Sequence, residues 1–153
     1  MGEAGVATAP EDNPTRALIA GAIAAARRGV ALDINPAFAS LEAVLEEGTP
    51  GEVTVRFTAG PHTAQGNGVV GGGTLANMLD CGLAIAALSV LPPGSTCGTI
   101  SLTVNMLKAA KVGKLWVRAS VDRAGRSVVF AQARLLDAEQ RLVATATSAL
   151  AVL

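Results

Sequence analysis

From Gly72 to Val90 the chain reads GGTLANMLDCGLAIAALSV, a helix-length segment whose one charge is Asp80. Its apolar residues, Leu75, Met78, Leu79, Leu83, Ile85, Ala86, Leu88 and Val90, do not gather into one stripe. At helical periodicity they go round the whole cylinder, and a helix apolar on every side must be covered on every side. That requirement constrains the fold more than any other feature of the chain.

The cover is written on both sides of the helix. Residues Glu52–Ala59 alternate strictly, with Val53, Val55 and Phe57 on one face and Thr54, Arg56 and Thr58 on the other, the period of a half-buried antiparallel strand. A strand is predicted before it, Phe38–Glu47. Four more follow the helix, at about Thr99–Leu107, Leu115–Asp122, Ser127–Asp137 and Leu142–Val152, joined by AKVGK, RAGR and DAEQ turns. The pattern predicts an α+β fold, one antiparallel sheet wrapped around one buried helix. Asn13-Pro14 starts an extra N-terminal helix, Pro14–Arg28, stopped by Gly29 and packed on the outside or on a partner subunit. Residues 1–12 are rich in Ala, Gly, Pro and acid and are expected to be flexible, leaving 13–153 as a single domain.

Within Leu115–Asp122, Trp116 shares its face with Arg118 and Ser120 and not with the apolar set. It reads either as a subunit contact or as a lone exposed Trp. The small residues Gly82, Ala84, Ala86 and Ala87 either open a tunnel along the helix or permit close packing on the sheet.

Composition removes several classes of function. Twelve basic residues balance twelve acidic ones and only 3% of residues are aromatic; nucleic acid is not an expected partner. The longest apolar stretch, Thr74–Leu91, carries Asn77 and Asp80, so no membrane span is expected. The apolar LIAGAIAAA has acids before it and Arg27-Arg28 after it, the wrong charge order for a secretory signal. Cys81 and Cys97 form no CxxC and His62 is the one histidine, which excludes zinc clusters. Two buried free thiols fit a reducing compartment, and the expected location is the cytoplasm.

Elbow-type serine hydrolysis fails for want of GxSxG. GNGVVG matches GxGxxG formally, but neither an acidic ribose ligand nor a βαβ unit follows. What remains is a helix start and an acid. Gly71, Gly72 and Gly73 leave the first backbone N–H groups open, and such groups suit a carbonyl gaining negative charge. Asp80 lies about two turns further in, among Leu75, Met78, Leu79 and Leu83. Desolvation there would suit it to base or nucleophile work, while a structural Asp bonded to a neighbouring strand fits the residues equally.

The stretch from Gln65 through Asp80 to Gly113 resembles the hotdog-fold acyl-CoA thioesterases, in particular the phenylacetyl-CoA type and its 4-hydroxybenzoyl-CoA relatives. Gln65 stands at the family's amide position, fifteen residues before the acid; Gly72-Gly73 match its glycine pair, and TISLTVNMLKAAKVG matches its later strand. The resemblance implies a hotdog fold and hydrolysis of an acyl-CoA with no further cofactor. It makes Asp80 the base or the nucleophile, Gly72 N–H the group that polarises the carbonyl, and Gln65 and Thr99 the groups that hold carbonyl or water. It puts Gly71, Gly73, Asn67, Lys108 and Arg126 beside the substrate, the two cations as contacts for CoA phosphate or as solvated side chains. It also implies a homodimer or a dimer of dimers with sites between subunits. Two positions depart from the family: Gly71 stands where it has histidine, and Ala109 where its strand has proline. The missing histidine keeps a non-catalytic acyl-CoA-binding or sensing module open as the alternative.

Overall fold

The structure, a computed structural model, describes residues 11–153; most of the N-terminal stretch expected to be flexible lies outside it. In chain order the elements are α1 (Pro14–Ala24), β1 (Val30–Ala31), α2 (Pro36–Ala39), β2 (Val44–Thr49), β3 (Glu52–Ala59), α3 (Gly72–Leu88), β4 (Cys97–Met106), β5 (Gly113–Ala124), β6 (Val128–Leu136) and β7 (Leu142–Val152). The strands form one antiparallel sheet in the order β1-β2-β3-β5-β6-β7-β4.

α3 lies across one face of the sheet and contacts β3, β4, β5, β6 and β7, the cover that its all-round apolarity demands. From Cys81 to Leu88 every residue but Ala84 is buried. The sheet's inner residues, among them Val55, Phe57, Leu115, Val117, Leu135 and Leu150, join α3 in one core. This is the α+β arrangement anticipated from the pattern and the hotdog fold implied by the resemblance.

Gly82 sets how closely helix and sheet approach. A Cβ placed on it would lie 2.5 Å from Val117 Cγ1, so the glycine is there because the strand leaves no room. At this position close packing, not a tunnel, explains the small residue.

Two boundaries depart from the expected ones for local reasons. The strand predicted to start at Phe38 starts at Val44, because residues 36–39 form α2. Asn35 Oδ1 accepts the N–H of Ala37 at 3.0 Å and of Phe38 at 3.4 Å, with Pro36 at the first helical position. The same Asn-Pro cap starts α1, where Asn13 Oδ1 accepts from Thr15 and Arg16. α1 then ends four residues before Arg28: Arg27 N–H donates to Ala22 O at 2.9 Å and Ala26 N–H to Ile23 O at 3.0 Å. That is a Schellman ending with alanine at φ 50° where glycine usually stands. α1 packs on α3 and β2 of its own chain.

A clip fastens α1 further. Asp12 accepts two bonds of 2.7 Å from Arg16 and one of 3.0 Å from Gly94 N–H, and Arg16 Nη1 donates to Leu91 O at 3.1 Å. The paired carboxylate, held first by the Arg16 side chain, is lowered to a pKa of about 2.

β4 closes one end of the sheet and, among the described residues, pairs only with β7. Its sequence, CGTISLTVNM, has neither charge nor proline, and Ile100 and Met106 are exposed. Trp116, opposite Arg56 on β3 and Leu136 on β6, is half-buried.

Candidate active site

The loop before α3 ends on Gly71, whose N–H donates to Thr63 O at 2.9 Å. Gly72 and Gly73 take the first two helical positions, where no intrahelical acceptor exists. No side chain caps this end, and among the described residues neither N–H has a partner. Nothing about Gly71 requires glycine: its φ is −62°, and a Cβ there would meet only Thr63 O at 3.6 Å.

This helix end opens into a cleft of about 330 Å³. Gln65 and Lys108, both exposed, stand on it with Gly72. Asn67, also exposed, belongs to the loop beside Gln65. Met106, which the sequence left unremarked, lines the cleft as well. Its Cε is 3.6 Å from where a Cβ of Gly72 would stand. Its place at the end of the predicted strand, two residues before Lys108, was the available signal.

Asp80 sits on the middle of α3, half-buried and not enclosed as its apolar neighbours suggested. Leu75, Met78, Leu79 and Leu83 turn into the core, whereas Gly73 and Asn77 on the acid's own face are exposed. Thr99 Oγ1 donates to Asp80 Oδ1 at 2.7 Å. Asp80 Oδ2 has no hydrogen-bond partner among the described residues.

The two thiols flank this acid. Cys81 is buried and donates to Asn77 Oδ1 at 3.5 Å; Cys97, expected to be buried, is half-buried. Burial, and after it the charge of Asp80, pushes Cys81 up to about 12 and Cys97 up to about 11. Neither is a thiolate near neutral pH, which disfavours cysteine nucleophiles here.

The candidate residues therefore fall into two groups on one chain. Gln65, Gly72, Gly73 and Lys108 gather at the start of α3; Asp80 and Thr99 meet further along it. Eight residues of helix, about 12 Å, separate Gly72 from Asp80. Arg126 joins neither group's hydrogen bonds. It lies in the turn before Val128, which opposes Ala151, whereas Lys108 follows Met106, which opposes Ala144. Seven residues of β7, about 23 Å, lie between those two levels.

A larger groove of about 470 Å³ lies on the opposite face of the sheet, lined by Glu52, Thr54, Arg118, Ser120, Gln132 and Arg134 among others. It contains none of the candidate residues. Among the described residues no group of three or more His, Cys, Asp or Glu is placed to hold a metal, and no helix is long and apolar enough to cross a membrane.

Comparison with known proteins agrees with the fold. The thioesterase superfamily model matches residues 67–144, just over half of the chain. A phenylacetic acid degradation-related protein from Ralstonia eutropha JMP134 is 30% identical over 74% of this chain and 86% of its own, with a TM-score of 0.71. A thioesterase family protein from Silicibacter pomeroyi is 25% identical over 91% of this chain and 98% of its own, with a TM-score of 0.76. A Streptococcus mutans UA159 protein solved with bound acetyl-CoA shares the fold at 21% identity over 71% of this chain and 86% of its own, with a TM-score of 0.65. No curated protein matches the sequence. The chain belongs to the thioesterase superfamily and is a thioester hydrolase by class.

Proposed function

We propose that the protein hydrolyses acyl-CoA thioesters, with Gly72 N–H polarising the thioester carbonyl and Asp80 supplying the reactive carboxylate. The observation that carries this reading is the bare start of α3, two unpaired N–H groups opening on a cleft beside Gln65 and Lys108. Preorganised donors of this kind stabilise an oxyanion without reorganisation. The free Oδ2 of Asp80, its other oxygen held by Thr99, suits either deprotonation of water or attack on the carbonyl carbon. Lys108 on the cleft rim, and Arg126 from elsewhere, are candidate partners for CoA phosphate. The S. mutans relative with acetyl-CoA bound supports CoA thioesters as the ligand class.

One chain cannot bring Gly72 and Asp80 to a single carbonyl, because the helix holds them about 12 Å apart. A second copy removes the difficulty if its Asp80 faces this chain's Gly72. The exposed face of α3 and the uncharged free edge of β4 lie side by side, joined by the Asp80–Thr99 bond, and form the surface such a copy would cover. We therefore infer a homodimer with shared sites, with a dimer of dimers as its further assembly. The cytoplasm is its proposed location, on the two unoxidised thiols.

Thiol release from short, long and aromatic acyl-CoAs, by wild type and by Asp80→Asn, tests the reading. Turnover in the wild type and its loss in the variant are expected. Saturable acyl-CoA binding without turnover in the wild type would overturn it. That result would favour the binding module, the reading that Gly71 in place of a histidine supports. Sedimentation of the wild type as a monomer would refute the shared site.

A further inference from the structure

The cleft at the start of α3 carries information about which acyl group it would take. Its walls are Val69, Val70, Leu75, Met106 and Leu107, with Gln65 and Lys108 as its long polar side chains. None of these is aromatic. The four aromatic residues of the chain lie elsewhere: Phe38 and Phe57 are buried in the core, and Trp116 and Phe130 stand on the opposite face of the sheet.

Several backbone donors around the cleft are already paired, whereas Gly72 N–H, without a partner among the described residues, is free for the carbonyl. Gln65 N–H donates to Val69 O, Val70 N–H to Ala110 O, and the N–H groups of Leu107 and Lys108 both to Val143 O. A ligand segment rich in amides, such as the pantetheine arm of CoA, would lose its hydrogen bonds to water against these walls and gain few in return. A hydrocarbon segment loses nothing. Met106 places its methyl at van der Waals distance from the position a Gly72 side chain would take. Half-exposed and unbranched, its thioether can follow a flexible chain better than a flat ring.

Resting on the thioesterase reading, we propose that Met106 is a specificity-determining residue and that the cleft takes an aliphatic acyl chain in preference to an aromatic one. Acyl methylenes next to the carbonyl pack on the Met106 thioether while the carbonyl oxygen faces Gly72 N–H.

The test uses non-hydrolysable thioethers, so that it does not depend on turnover. Binding of hexyl-CoA and benzyl-CoA to the full chain is measured by calorimetry, for wild type, Met106→Ala and Met106→Leu. Hexyl-CoA is expected to bind about tenfold more tightly than benzyl-CoA. Met106→Ala should lose most of that preference and Met106→Leu keep it. The hexyl thioether of N-acetylcysteamine, which lacks most of the pantetheine arm, should lose a similar factor on Met106→Ala. Tighter binding of benzyl-CoA, or equal binding in all three proteins, would overturn the proposal. A Met106→Ala loss seen with hexyl-CoA and absent with the short thioether would overturn it too, because Met106 would then face the thiol arm. Failure of the thioesterase reading shows separately, as absent thiol release from hexanoyl-CoA by a wild type that binds hexyl-CoA.

Discussion

Thr99 Oγ1 and Asp80 Oδ1 lie 2.7 Å apart, a bond that joins the middle of the central helix to the free edge strand. It fixes one carboxylate oxygen and leaves the other without a partner among the described residues, so the acid enters any reaction already oriented. Thr99→Val keeps the side chain's shape and removes its donor. A hydrogen bond to a charged group contributes roughly 1.5–3 kcal/mol, less where solvent competes, and Thr99 is exposed. The expected result is a fall in kcat of about threefold to tenfold with KM little changed and an unaltered circular dichroism spectrum. A fall confined to KM would assign Thr99 to binding and not to the acid.

Gly82 is the tightest point between α3 and the sheet. Gly82→Ala gains helix propensity but drives a methyl toward Val117, whose Cγ1 stands 2.5 Å from the new atom. Overpacking of this kind costs about 1–3 kcal/mol and outweighs the propensity gain. A lower denaturation midpoint at unchanged m-value is expected, and Val117→Ala in the same chain should recover part of it.

The Asp12–Arg16 clip makes stability depend on acid in a stated direction. The native carboxyl titrates near 2, below its ordinary value of 3.8, so its contribution is complete above about pH 4 and is lost as pH falls toward 2. Thermal unfolding of the wild type followed from pH 5 to pH 2 should fall more steeply than that of Asp12→Asn. Parallel curves would show that the clip contributes nothing in solution.

The thiols report on their surroundings. With Cys81 held near 12 and Cys97 near 11, both should react slowly with a disulfide reagent at pH 8 and fast once denatured. Asp80→Asn removes a negative charge that disfavours both thiolates. It should therefore speed the native reaction of each, a readout of proximity that needs no substrate.

Much of this was readable beforehand because it rests on periodicity. Strict alternation in Glu52–Ala59 and all-round apolarity in α3 each admit one kind of partner, and together they require a wrapped sheet. The helix start and its acid were visible because three glycines and one charge have no place in an ordinary apolar helix. The errors came where a local signal competed with a pattern. Asn35-Pro36 repeats the cap of Asn13-Pro14, yet the apolar residues after it read as strand. Ala26 ends α1 in a left-handed conformation that composition favours only for glycine or asparagine. Met106 escaped notice because its position depends on where β4 ends relative to Gly72, a relation between segments far apart in the chain. Asp80 proved less enclosed than its sequence neighbours suggested, since the face that it shares with Gly73 and Asn77 has no cover among the described residues.

The bare margin of β4 has a consequence for gene dosage. Ten residues without charge or proline border the sheet on a side where no other strand pairs among the described residues. If two copies must join there before a site exists, a dilute chain is both idle and adhesive. Well below the dissociation constant of the pair, the yield of complete sites grows as the square of the amount made. Halving expression would then remove about three quarters of the activity, and strangers with open sheet borders would compete for the chains left single.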